Sequence, residues 1–469
     1  MIPTSTLNIH LINYSPTDFE DEDDRDEGPE RSVDSESTFS RNFEFCSSPP
    51  STTSSPPWIL LSSRPSIGAF GDSMLYYYKE VVCGKRVLVD GLDNQFRQLV
   101  IPISFSSEML SHTVAAFAAH DHLNQKPTQH SEEYKHALYY HKCKALSLLR
   151  QNCDSDTLQF STVEDRDAIL LTISFLCHLD VSGGSKGQWA YHLKGSSTLI
   201  KSMRAIYQSG AFSDETQRFV FGFLYTLMDF AVGDTWLSLQ DQETTQLLEE
   251  TRSILQQQED EGSAKIDASI GLSWGLANII HSANRLHHEI AVSSEATPNA
   301  EFINAGIALE SRLRSLVQVY EGADESHHIF MTAEAYKEAT FLFIYHGIYG
   351  HSSQSPSIRD TPHLPRLISL LEQIAAQQSH LLGTYPYPMW PIFIAANFAN
   401  ESQRATILHI LTVMKDYRPK SNTIPTQAAI EAVWKMRDLS RGNSLKTIRP
   451  GRLDWQDTLK RLGWTLALN

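Results

Sequence analysis

Positive charge is in short supply in this chain. Its 469 residues carry 39 Lys and Arg against 55 Asp and Glu, a formal net charge of −16. Modules that grip nucleic acid present a basic face to the phosphates. The balance therefore argues against such a grip by this chain alone, leaving room only for a small local patch. Cysteine is scarcer still, with Cys46, Cys83, Cys143, Cys153 and Cys177 irregularly spaced and no Cys-x-x-Cys. That is no disulfide framework, and an odd count favours a reducing compartment. The opening residues, MIPTSTLNIHLINYS, lack a basic segment followed by a long apolar one, so no signal peptide is expected. The longest apolar run, Ala168–Cys177, is about half of the ~20 residues needed to span a bilayer, which predicts a soluble protein with no membrane contact. No nucleophile elbow, Walker loop or dinucleotide glycine fingerprint occurs.

What is present reads as helix. Hydrophobic residues make up 41% and charged residues 20%, the proportions of a globular protein with a sizeable core. Residues 1–66 differ from the rest. Asp18–Glu36 is dominated by acids and Ser47–Ser66 is a Ser/Thr/Pro tract, so this stretch is expected to be a disordered tail. From Ile67 onward the apolar period is helical. Ser106 is the expected N-cap of a helix over Glu108–Leu123, and Ser131 the expected cap of the next, with Glu132 and Glu133 at the positive end of its dipole. Thr162-Val163-Glu164-Asp165 has the form of a capping box. The helix it opens is apolar nearly all round, which places it centrally, and Gly183-Gly184 should stop it. Further helices are expected at Gly187–Tyr207, Asp214–Val232, Glu243–Gln257, Ala268–Glu289, Glu301–Glu321, Ala333–Tyr349, Pro365–Leu382, Trp390–Lys415, Thr426–Leu439 and Trp455–Leu466. No alternating strand pattern and no fixed-period repeat is visible. The expectation is an all-α protein: one large helical domain of antiparallel pairs over 67–469 behind the tail.

Candidate chemistry is thin. Asp23-Asp24-Arg25-Asp26-Glu27 has the acid spacing by which terpene synthases hold magnesium, but it lies in a charged run with no apolar stripe to aim it into a pocket. His112, His120, His122, His130, His136 and His141 crowd one region. Helical zinc ligands prefer i, i+4 spacing, which His120/His122 and His136/His141 lack, so these are expected on the surface or at caps. His287-His288-Glu289 lacks a second zincin histidine. Gly183–Gly187 reads as a helix-ending loop, not a phosphate cradle, since no strand precedes it. Trp189 and His192 share a helix face with Leu193 and Leu199, as a packing anchor. Tyr225, Phe230, Trp236, Trp274, Phe341, Phe343 and Trp390 are expected in the core. No catalytic, cofactor-binding or metal-ligating residue emerges.

The stretch AILLTISFLCHLDVSGGSKGQWAYHLKGSSTLI, Ala168–Ile200, is the most informative. With Leu75–Tyr78, Asn94–Phe96, Val114–Leu123, Lys144–Arg150, the Trp-Pro-Ile-Phe-Ile-Ala step at Trp390–Ala395, Glu401–Leu411, Ala429–Arg437 and Asp454–Gln456, it resembles the fungal-specific transcription factor domain. That domain is the helical body that usually follows a binuclear zinc cluster. The resemblance implies a nuclear transcription regulator, not an enzyme, acting by protein–protein contact. Its implied partners are co-regulators or a DNA-binding protein, with a small apolar effector held in a cavity. The zinc cluster needs six cysteines within about thirty residues, and only Cys46 lies in the first eighty here. No DNA-reading head is therefore recognisable, and no nucleic-acid contact is carried over. Phe19, Phe43 and Phe45 among acids and serines suit a segment that folds on a coactivator. An all-α enzyme of a fungal metabolic gene cluster is the rival expectation. A gene whose cysteine-bearing first exon is missing is a third.

Overall fold

The structure is a computed structural model. It describes residues 66–124, 131–153, 162–207, 210–233, 264–293, 299–321, 327–349, 362–377, 387–417, 422–440 and 454–468. The acidic and Ser/Pro-rich tail, the expected helix at Glu243–Gln257, Trp236 and His130 lie outside these residues.

The chain is all-α, with a few very short strands. In its first part, α1 (Ala69–Tyr77) runs through one π-helical turn into α2 (Cys83–Lys85), followed by α3 (Gln95–Gln98) and α4 (Val100–Ser106). The long helices come next: α5 (Glu108–Leu123), α6 (Ser131–Cys153), α7 (Val163–Ser182), α8 (Trp189–Tyr207) and α9 (Asp214–Asp229). The second part holds α10 (Trp274–Val292), α11 (Ala300–Ser315), α12 (His327–Tyr349), α13 (His363–Gln377), α14 (Met389–Phe398), α15 (Glu401–Tyr417), α16 (Thr423–Ser440) and α17 (Asp454–Leu462). Consecutive helices pack together: α5 on α6, α7 on α8, α14's neighbours α12 and α16 about it, and α12 on α13.

Local sequence explains where these helices begin. The α5 cap is Ser107, one residue later than expected. Its hydroxyl accepts from Leu110 N at 3.3 Å, while the Ser106 hydroxyl donates back to Ile103 O in α4. Thr162 Oγ1 accepts from Asp165 N at 3.1 Å and opens α7 as its capping box predicts. Every residue of α7 from Arg166 to Cys177 is buried, so the all-round apolar helix is the centre of the first part. Gly184, at φ 76°, turns the chain out of it.

Several expected helices are cut by features a 3.6 period does not reveal. Asp214–Val232 ends at Asp229, because Ala231–Gly233 forms β1. Trp455–Leu466 likewise ends at Leu462, and Thr465–Ala467 (β4) pairs antiparallel with β1. Residues 266–273 form a hairpin, β2 (Ile266–Asp267) with β3 (Leu272–Ser273), so α10 starts at Trp274, capped by Ser273. The helix expected over Glu301–Glu321 stops at Ser315, and Val319 bridges to Lys265. Trp390–Lys415 is two helices. Between them Asn400 Oδ1 accepts from Gln403 N at 3.0 Å, and Gln403 Oε1 from Asn400 N at 2.9 Å, a reciprocal capping box.

Among the described residues two large apolar cores result, with a small third cluster of Leu88, Ile266, Ile329 and Ala333. One large core gathers α1–α9 around Phe117, Phe175 and Phe221, the other α10–α17 around Ile280, Phe393 and Trp455. The helix α9 and its C-cap serve both: Val220, Phe221 and Leu224 face the first, Tyr225 and the C-cap Phe230 the second. That shared helix positions the cavity described next.

Candidate functional site

A cleft of about 560 Å³ opens where the two cores meet. Its size is that of a small-molecule site. The α1–α9 side contributes Arg86, Phe96, Asn124, His178, Phe219 and Phe223, and the α10–α17 side Trp274, Tyr336 and Tyr387. The β2–β3 hairpin and Asp93, Glu215, Arg218 and Lys265 surround these with polar groups.

Arg86 is 4% exposed and sits over aromatic faces, its guanidinium carbon 4.2 Å from the Phe117 centroid and 5.5 Å from that of Phe96. Such cation–π contacts help to hold a desolvated guanidinium. Arg86 Nη2 lies 3.1 Å from His178 Nδ1. A guanidinium can only donate, so Nδ1 accepts and the ring hydrogen resides on Nε2. Burial, reinforced by the Arg86 charge, pushes the His178 pKa well below its usual value, so the ring stays neutral. Its plane stacks on Phe223 at 3.5 Å and 16°. Among the described residues nothing accepts a hydrogen bond from His178 Nε2.

Two other polar groups of the lining are incompletely satisfied. Asn124 Nδ2 pairs with His120 Nε2 at 2.8 Å, while Asn124 Oδ1 is buried without a partner among the described residues. Tyr336 is 2% exposed, nearly parallel to Trp390 (8°, centroids 6.2 Å apart) and 5.2 Å from Phe230. Burial alone raises its pKa, and no described residue hydrogen-bonds its hydroxyl. A donor or acceptor left unpaired in a protein interior costs about 1–3 kcal/mol. The cleft lining thus carries three polar groups with unused hydrogen-bonding atoms among the described residues. Among the described residues no three His, Cys, Asp or Glu side chains converge as metal ligands.

Of the aromatics expected in the core, Phe230 and Trp274 line the cleft, while the other residues singled out from sequence lie elsewhere. Trp189 and His192 are buried on one face of α8 with Leu193 and Leu199, as the helix spacing predicts. His192 is more than packing, because its Nε2 lies 3.2 Å from buried Asp180, which also binds Lys142 Nζ at 2.6 Å. The histidine-rich region corrects the surface expectation. His112, His120 and His141 are buried, with His112 and His141 joined Nδ1 to Nδ1 at 2.7 Å. His122 is half-buried between Tyr77 and Tyr134, with ring centroids 3.9 and 4.2 Å away, and only His136 among those described is exposed. The expected core aromatics Tyr225, Phe230, Phe341, Phe343 and Trp390 are buried, but Trp274 is a half-buried cleft wall. The Gly183–Gly187 loop ends α7 and receives β4, with Thr465 N donating to Lys186 O at 2.8 Å. Arg86, His178, Asn124 and Tyr336 were not singled out. The one local signal was His178, a titratable ring inside an otherwise apolar helix.

The fold is thus a helical domain with two cores about a ligand-sized cleft. Residues 73–468 match the fungal specific transcription factor domain, and the chain belongs to that family. No curated protein and no solved structure matches the chain.

Proposed function

We propose that this chain is the regulatory body of a fungal transcription regulator, working in the nucleus through contacts with co-regulators or a DNA-binding partner. The cleft between its two cores is the input site for a small effector. The observation that carries this reading is the family match over 73–468, in a chain whose cleft is walled by both cores. Occupancy of such a cleft favours one arrangement of the cores over another, which is how a ligand shifts a regulator's output. The net charge of −16 supports regulation by protein contact over direct phosphate binding. Fusing residues 66–469 to a heterologous DNA-binding domain tests the reading. Reporter transcription should change at least severalfold on tethering, in either direction. An inert fusion, together with an unaltered transcript profile on gene deletion, would sink it.

A further inference from the structure

The cleft lining carries one hydrogen-bond donor from each core beside an apolar wall. His178, on α7, offers an Nε2–H whose position is fixed by the Arg86 donation to Nδ1. Tyr336, on α12, offers a hydroxyl that no described residue engages. Both are donors, and both belong to the cleft lining. Phe223 of α9 stacks on His178, and Phe230, the C-cap of α9, lies against Tyr336. Phe219, Phe223, Phe230 and Trp274 furnish the apolar wall.

We infer that the cleft binds a flat, largely apolar small molecule carrying two oxygen acceptors. One acceptor takes the His178 Nε2 hydrogen and the other the Tyr336 hydroxyl hydrogen. Aromatic and alicyclic dicarbonyl compounds fit this description. A molecule held by both donors ties α7 of the first core to α12 of the second, so its binding energy depends on how the cores are set. This rests on the reading of the cleft as an effector site and adds the chemistry of what enters it.

The probes are naphthalene, 2-acetylnaphthalene and 2,6-diacetylnaphthalene, titrated calorimetrically into the purified full chain. They share one apolar body and carry no, one and two carbonyl oxygens. A net hydrogen bond is worth a factor of roughly five, so affinity should rise about fivefold with each carbonyl. In Tyr336→Phe and in His178→Phe the diacetyl compound should fall to the level of the monoacetyl one. Tyr336→Phe removes only an unengaged hydroxyl, so it decides the matter even if His178→Phe disturbs the Arg86 contact. Near-ultraviolet circular dichroism checks both folds. Equal affinity of all three probes for the wild type would overturn the two-donor assignment and leave the effector cleft standing. Failure of all three to bind would overturn both.

Discussion

Trp189 Nε1 donates to the Thr465 carbonyl oxygen at 3.1 Å, joining the first turn of α8 to strand β4 across 276 residues of sequence. The indole is fully buried, and the Cys177 thiol meets the Trp189 backbone oxygen from the other side. A residue placed by its sequence motif as a packing anchor is therefore also the clasp between the central helices and the β1–β4 ribbon. Trp189→Phe keeps an aromatic ring and loses the donor. It should cost about 2–4 kcal/mol, from an unpaired carbonyl and lost ring volume. Urea denaturation would show this as a lower midpoint at unchanged slope. A midpoint equal to wild type would mean that the bond contributes nothing.

Lys142, Asp180 and His192 form a buried charged group linking α6, α7 and α8, with all three residues under 10% exposed. Burial alone would raise the Asp180 pKa, but the Lys142 ammonium and the His192 ring outweigh it and hold the carboxyl down to about 2. Removing one partner strands a buried charge. Lys142→Met should therefore destabilise by about 3–5 kcal/mol, whereas the paired change Lys142→Met with Asp180→Leu should recover much of the loss. A double variant no more stable than the single one would contradict this account.

Buried neutral histidines set an acid limit. Burial lowers His120 to about 4 and His287 to about 3, and His178 lower than its usual value as well. The unfolded chain binds their protons near pH 6.5, whereas the folded chain does not until the pH reaches the lower values. Stability is therefore level above about pH 7 and falls as the pH drops from about 6.5 toward 4. Each histidine contributes up to about 1.4 kcal/mol per pH unit in that window. The Asp180 contribution behaves separately, present above about pH 4 and lost only as the pH falls toward 2. Urea midpoints at pH 7.5, 6 and 5 would trace the histidine part. Equal midpoints would refute it.

The His287 ring lies where a side chain on Gly347 would have to go, so α10 approaches α12 only because position 347 has no Cβ. Gly347→Ala should lower stability by about 1–3 kcal/mol or more. His287→Ala in the same chain should relieve part of that loss. Thermal melts of the two single variants and the double variant give the coupling directly.

Side-chain chemistry that acts within a few residues was legible in the sequence. Thr162 and Asp165 set the start of α7, and Glu108–Leu123 is a helix with those ends. Three-residue strands are too short for a period of two to show, so β1 and β4 were absorbed into neighbouring helices. Asn400-Glu401-Ser402-Gln403 is a capping box written in good helix formers, and it was read through as continuous helix. The polar groups of the cleft were barely legible, with His178 the one local signal. Arg86, His178 and Tyr336 come from distant parts of the chain, and what distinguishes them is which of their hydrogen-bonding atoms a neighbour leaves unused. That is a property of packing, and no local spacing encodes it.

The β1–β4 ribbon imposes an order in time on the making of the protein. Gly233 is opposite Thr465, and Ala231 opposite Ala467. At about 5–20 residues added per second, β1 leaves the ribosome on the order of tens of seconds before its partner exists. Through that interval β1 lacks its strand partner and the Trp189 clasp is open. A nonsense allele cutting anywhere before Thr465 would be expected to yield a protein cleared by proteolysis, with no partially active regulator left behind.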